Sequence, residues 1–129
     1  MKKLLIICLL ISGMAVQAQV GKVVTTIIAS TTIADTTKSF GPLNMDYNWN
    51  ITVQTVSLDA GDASVEIQVA NASAGPWVDY ASNMNATLPT TGTVAFSDDH
   101  LDWLYMRVVV LKNAASSGTV EVKMLKYKR

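Results

Sequence analysis

The sequence predicts an all-β fold: a single antiparallel β-sandwich, jelly-roll-like in the spacing of its strands. Three observations predict it. Val, Ile and Thr dominate the chain beyond its first nineteen residues, and these side chains favour a pleated, half-buried surface. Apolar and polar residues alternate with period two in several runs. Clusters of Gly, Pro, Asn, Asp and Ser cut those runs at the short intervals typical of a sandwich.

The elements follow in order. Strands are expected over 20–29 and 31–40, rich in Val, Thr and Ile, and closed by Gly41-Pro42. The next covers 47–58, where Trp49, Ile51 and Val53 interleave with Asn50, Thr52 and Gln54. Its phase then slips to Val56 and Leu58, which predicts a bulge at Gln54-Thr55. Asp59-Ala60-Gly61-Asp62 turns the chain into strand 63–70, with Val65, Ile67 and Val69 against Glu66 and Gln68. Asn71 to Pro76 is a second turn, followed by strand 76–80. Pro89 to Gly92 leads into 92–96, and Asn113 to Gly118 separates 103–112 from 118–127. In that last strand Val120, Val122 and Met124 alternate with Glu121 and Lys123.

Strand 103–112 is the least ordinary. Leu104, Met106, Val108 and Val110 share one face; Trp103, Tyr105, Arg107, Val109 and Leu111 share the other. Both faces are largely apolar, so the strand is expected at the centre of a sheet and covered on both sides. One cover is the core. The other is the first strand, a neighbouring subunit or a ligand.

The N-terminus carries a different message. Lys2 and Lys3 precede an apolar run from Leu4 to Val16, broken only by Ser12 and Gly13, and Val16-Gln17-Ala18 follows. That is the layout of a secretory signal peptide. The uninterrupted core, Leu4 to Ile11, is much shorter than the roughly 20 apolar residues of a spanning helix. Residues 1–18 are therefore assigned to a signal peptide and 19–129 to one β-sandwich domain, large enough for a single core. A retained apolar segment is the alternative, and only that version implies a membrane partner. The only cysteine, Cys8, falls in this segment, so the domain itself has no disulfide, thiolate nucleophile or cysteine metal site.

The chain is formally neutral but its charges are segregated. Nine acids against Lys38 lie between Asp35 and Asp102, and six bases against Glu121 lie from Trp103 onward. Such asymmetry can align subunits, or adjacent strands can simply pair opposite charges. The bases are too few and too terminal for a nucleic-acid partner. No catalytic set assembles around His100, the lone histidine, because a triad also needs an oriented nucleophile and an oxyanion site. Calcium would use Asp98, Asp99 and Asp102, or Asp59 and Asp62. Neither cluster has an EF-hand pattern, and solvated turn aspartates account for both, so no cofactor or metal is expected. Trp77, Tyr80, Trp103 and Tyr105 can form a sugar-stacking platform beside Asp79, or Trp77 and Trp103 can anchor the core.

The stretch V-E-I-Q-V-A-N-A-S-A-G-P-W-V-D-Y (residues 65–80), then W-L-Y-M-R-V-V-V from Trp103 and S-S-G-T-V-E-V-K-M from Ser116, resembles a group of small β-sandwich proteins encoded by tailed bacteriophages and prophages. Their pattern is an I-Q-x-S-N turn, a W-x-D/E segment, an aromatic-x-x-R-V strand and a closing S-G-T strand. The likeness covers about half the chain and departs at Ala70-Asn71-Ala72, where the group has Ser-Asn-Asp. It implies a non-enzymatic virion part, a capsid decoration or fibre-like jelly roll. It also implies structural roles for Gln68, Trp77, Asp79 and Arg107: turn bonding, core filling, and an ion pair between Asp79 and Arg107. A virion protein has no ordinary need of export, so the leader stands against this setting.

Together these observations predict a non-enzymatic structural or adhesive subunit, secreted or in a virion, that works as a homo-oligomer or beside other subunits. The expected contact surface is Trp103, Tyr105 and Arg107, with Trp77 and Tyr80. The strand from Val20 is a second candidate, because an unpaired strand of Val, Thr and Ile is a sticky edge. A secreted carbohydrate-binding module is the alternative, with a glycan as partner.

Overall fold

The computed structural model describes residues 22–43, 46–81, 84–98 and 103–128. The expected boundary after residue 18 lies outside these residues, as do the side chains of Asp98, Asp99, His100 and Asp102. The described residues form nine strands: β1 (Lys22–Thr32), β2 (Thr36–Phe40), β3 (Tyr47–Val56), β4 (Ser64–Ala70), β5 (Val78–Asp79), β6 (Asn85–Thr87), β7 (Gly92–Asp98), β8 (Tyr105–Leu111) and β9 (Thr119–Lys128). Every pairing is antiparallel.

One sheet runs β1-β9-β3-β7 and the other β2-β8-β4-β5, with β6 also on β4. β5 takes the Gln68–Val69 end of the β4 edge and β6 the Ser64–Glu66 end. The two act as one interrupted strand. The chain changes sheet at six of its eight connections, all but β4–β5 and β5–β6, which is the winding of a jelly roll. Each of the eight expected strands has a counterpart. β6 is the additional one, and Thr31 and Thr32 extend β1 rather than opening β2.

The core lies between the two inner faces. Trp49, Ile51, Val53, Phe96, Val120, Val122 and Met124 meet Val65, Ile67, Val69, Met106, Val108 and Val110, all buried. Burying each such side chain contributes about 1.5–3 kcal/mol. The period-two alternation therefore reads correctly in β3, β4, β8 and β9.

The expected bulge at Gln54-Thr55 is absent. β3 stays in unbroken register with β9 from Tyr47 to Val56. Thr55, not Val56, takes the inward position; it is fully buried, and its hydroxyl donates to the Pro89 carbonyl at 2.7 Å. The phase changes later, at Ser57, whose φ of 55° lies in the left-handed region. Leu58 then turns into the core. Gly118 makes this corner fit: its φ is 93°, and an added Cβ would stand 2.5 Å from the Ser57 carbonyl oxygen.

β8 is central, between β2 and β4, as expected. No described strand covers its second face, however. Tyr105, Arg107, Val109 and Leu111 are only half-buried there, and β1 lies in the other sheet beside β9. Nor do neighbouring strands neutralise the basic tail. β9 lies between β1, which carries only Lys22, and β3, which carries no charge. Lys123 pairs instead with Glu121 of its own strand, at 2.8 Å.

One end of the sandwich is tied by aspartates. Asp35 accepts from the Lys112 amide, and Asp62 from the Ala114 amide. Asp59 accepts from the Ser116 hydroxyl and from the Ser116 and Ser117 amides. The Ser116 hydroxyl first, and the two amides after it, hold the Asp59 carboxyl well below its ordinary value of 3.8. The oxygens that a calcium reading assigns to Asp59 and Asp62 are thus engaged in bracing two loops.

Candidate functional site

The site begins with a register. On the outer face of the second sheet, Ser39 lies opposite Arg107, Arg107 opposite Gln68, and Gln68 opposite Asp79. Directly paired residues project to the same face. One polar row therefore crosses four strands. Val109 and Glu66 form the next row, and Tyr105 with Ala70 the row on the other side.

The row is bonded along its length. Arg107 Nε donates to Gln68 Oε1 at 2.6 Å. Gln68 Nε2 donates to Asp79 Oδ1 at 3.0 Å and weakly to Glu66 Oε2 at 3.5 Å. The ion pair expected between Asp79 and Arg107 is thus replaced by a relay through the Gln68 amide, which accepts on one side and donates on the other. Among the described residues only the Nε of Arg107 has a partner. No described residue bonds its two Nη nitrogens, which lie at the centre of a half-buried face.

Trp77 completes the surface. Its ring lies under the Arg107 guanidinium, with Cζ 4.7 Å from the centroid, a cation–π contact. The loop before it is shaped for this. Gly75 donates its amide to the Ala72 carbonyl and has a φ of 88°, and an added Cβ would stand 2.8 Å from Trp77 Cδ1. Trp77 is therefore not a core anchor. That position belongs to Trp49, which is buried.

The remaining candidates separate. Trp103 packs partly against the core and lines a groove of about 320 Å³ with Asn71, Ala72, Gly75, Pro76 and Val78. No charged side chain lines it. Tyr80 turns inward, edge-on to Trp49 at 5.8 Å. Tyr105, Arg107 and Trp77 stay together on the outer face; Trp103 marks its end and Tyr80 supports it from below. Gln68 is the member to which the family resemblance gave turn bonding; it stands in mid-strand instead. Only the cross-strand register reveals it as the bridge.

The face holds donors, acceptors and aromatic surface. It holds no nucleophile paired with a base. Among the described residues no three His, Cys, Asp or Glu side chains gather as a metal site, and no helix is long and apolar enough to cross a membrane.

No protein-family model and no curated protein matches the chain. Solved structures do match it in fold. The SPBc2 prophage-derived protein YomS aligns at a TM-score of 0.52 and 13% identity, over 81% of this chain and 91% of that one. The coat protein of Tobacco streak virus, solved as a dimer, aligns at 0.42 and 10%, over 84% and 86%. The C-terminal CBM6 of LamC, a laminarinase from Zobellia galactanivorans, aligns at 0.45 and 12%, over 82% and 100%. Of these three only YomS aligns closely enough to bear on the architecture. At that identity what this chain shares with the prophage protein is its fold: an antiparallel two-sheet β-sandwich.

Proposed function

We propose that this chain is a non-enzymatic β-sandwich subunit of an extracytoplasmic or virion-like surface assembly, meeting its neighbours through the outer face of the β2-β8-β4-β5 sheet. One observation carries this reading. No described strand covers the second face of the central strand β8, where Tyr105 and Arg107 stand half-buried with Trp77 against the arginine. Trp, Tyr and Arg are the residue types that concentrate binding energy at interfaces. The row beneath them is bonded in advance, so little side-chain order is lost on contact. The fold shared with a prophage-derived protein is in keeping with the setting, while the function rests on the face itself. The test is light scattering with Arg107→Glu and Trp77→Ala. Defined oligomers that these substitutions weaken support the reading. A monodisperse monomer at high concentration counts decisively against it.

The groove beside Trp103 favours a second reading, a carbohydrate-binding module. Its volume is at the lower end for ligand sites, and its uncharged lining suits a neutral sugar ring. Polysaccharide binding by a monomer, abolished by Trp103→Ala with the fold intact, would put this reading in place of the first.

A further inference from the structure

The sheets have four edges, of which β1 is the longest. β2 has five residues with Lys38 at its middle, on the core-side face opposite Val108. β5 and β6 have two and three residues. β7 has seven, with Gly92, Thr93, Ala95 and Ser97 among them. Shortness and a central lysine are ordinary ways to stop a sheet from adding strands. β1 has neither. It runs eleven residues and carries no charge after Lys22. It pairs only with β9. Its register is regular from Lys22 to Thr26, and the two shifts come only later, between Thr26 and Thr31.

This regular stretch is also where apolar surface is exposed. Val23 shares a sheet face with the buried Trp49, both lying opposite Lys126, yet it is 48% exposed. Val24, on the other face, is 64% exposed.

We infer that the Lys22–Thr26 edge of β1 pairs antiparallel with the same edge of a second copy, joining two four-stranded sheets into one. The inference serves the assembly reading but uses a different surface. Pairing about Val24 sets Val24 against its own copy, Val23 against Thr25 and Lys22 against Thr26. No like charges are opposed, whereas a parallel pairing would stack Lys22 on Lys22. The antiparallel contact is twofold, self-complementary and closed at two copies. The main chain supplies affinity and the exposed valines supply register.

The test uses the full-length chain with Cys8→Ser, so that an added thiol is the only one. Val24→Cys brings two thiols to the twofold axis, where facing Cβ atoms stand about 4.5–5.5 Å apart, within reach of a disulfide after slight adjustment. Air oxidation is expected to give a covalent dimer, and Thr37→Cys on exposed β2 is expected to give no cross-link. Val24→Lys faces like charges directly and is expected to weaken the dimer by roughly tenfold or more, with an unchanged melting curve at dilutions where the wild type is monomeric, because Val24 is exposed in the single chain. A wild-type monomer across the concentration series overturns the inference. So does a dimer that ignores Val24→Lys and gives no Val24→Cys cross-link. If that dimer dissociates with Arg107→Glu, the outer face carries assembly: the edge-pairing inference fails and the proposed function stands.

Discussion

Arg107 and Trp77 hold each other in place: the guanidinium lies 4.7 Å from the centre of the indole, while its Nε is bound to Gln68. The contact joins β8 to the loop before β5, two elements separated by β4 in the sheet. An exposed arginine over an aromatic ring contributes about 0.5–1 kcal/mol. The larger consequence is geometric, since the pair fixes the two side chains most suited to a binding face.

Gln68 is therefore expected to matter more than its half-exposed position implies. Gln68→Leu keeps the strand but removes both bonds of the relay, to Arg107 and to Asp79. The expected loss is about 1 kcal/mol, discounted for solvent, in urea denaturation. Arg107→Lys keeps the charge but not the Nε fork or the flat stacking surface. Its loss is expected to approach that of Gln68→Leu. A wild-type midpoint for both variants would show that the row is not a connected unit.

Asp59 predicts a pH dependence. Its carboxyl titrates below the ordinary value of 3.8 because Ser116 and Ser117 bind the charged form. The folded state thus favours ionised Asp59 more than the unfolded chain does. That stabilisation is fully present above about pH 4 and is lost as pH falls below the unfolded value. Thermal melts at neutral pH should place Asp59→Ala below the wild type, and the gap should narrow as acid is added. A gap that stays constant down to pH 2 would mean that the charge is irrelevant and only shape matters.

Much of this fold was legible because the core alternates faithfully. Val65, Ile67 and Val69, or Val120, Val122 and Met124, point inward because strand geometry allows nothing else. What escaped was set by single residues or by distant partners. β6 is three residues, too short to show a period. The phase change after Val53 looked like a bulge, because Val56 and Leu58 are apolar and Thr55 is not. A buried hydroxyl with an acceptor 34 residues away leaves no local trace. The same limit hid the relay: Gln68, Asp79 and Arg107 were each singled out, but their order across the sheet depends on register. Trp49 and Trp77 occur in similar strand-like surroundings, and only packing shows which one is core.

Thr55 gives a prediction that runs against hydrophobicity. It is fully buried in an apolar layer, so Val looks like an improvement. Yet its hydroxyl donates to the Pro89 carbonyl and reaches toward the Gly92 carbonyl at 3.5 Å. Thr55→Val strands the Pro89 oxygen and is expected to cost about 1–3 kcal/mol. Thr55→Ser keeps the bond and loses one methyl, about 0.8 kcal/mol. Chemical denaturation should rank threonine above serine and serine above valine. Valine equal to threonine would show that the Pro89 carbonyl finds another donor.

Trp49 predicts the opposite kind of result. Its indole is 2% exposed, and among the described residues its Nε1 has no hydrogen-bond partner. A buried unpaired donor costs about 1–3 kcal/mol. Trp49→Phe removes that donor while keeping an aromatic ring against Tyr80, at the expense of a small void. The two effects oppose, so the variant is expected within about 1 kcal/mol of wild type. Trp49→Ala removes ring and donor together and is expected to cost about 3–5 kcal/mol. Urea midpoints for the two variants decide the matter. If phenylalanine costs nearly as much as alanine, the indole N–H is bound in solution and contributes to stability rather than subtracting from it.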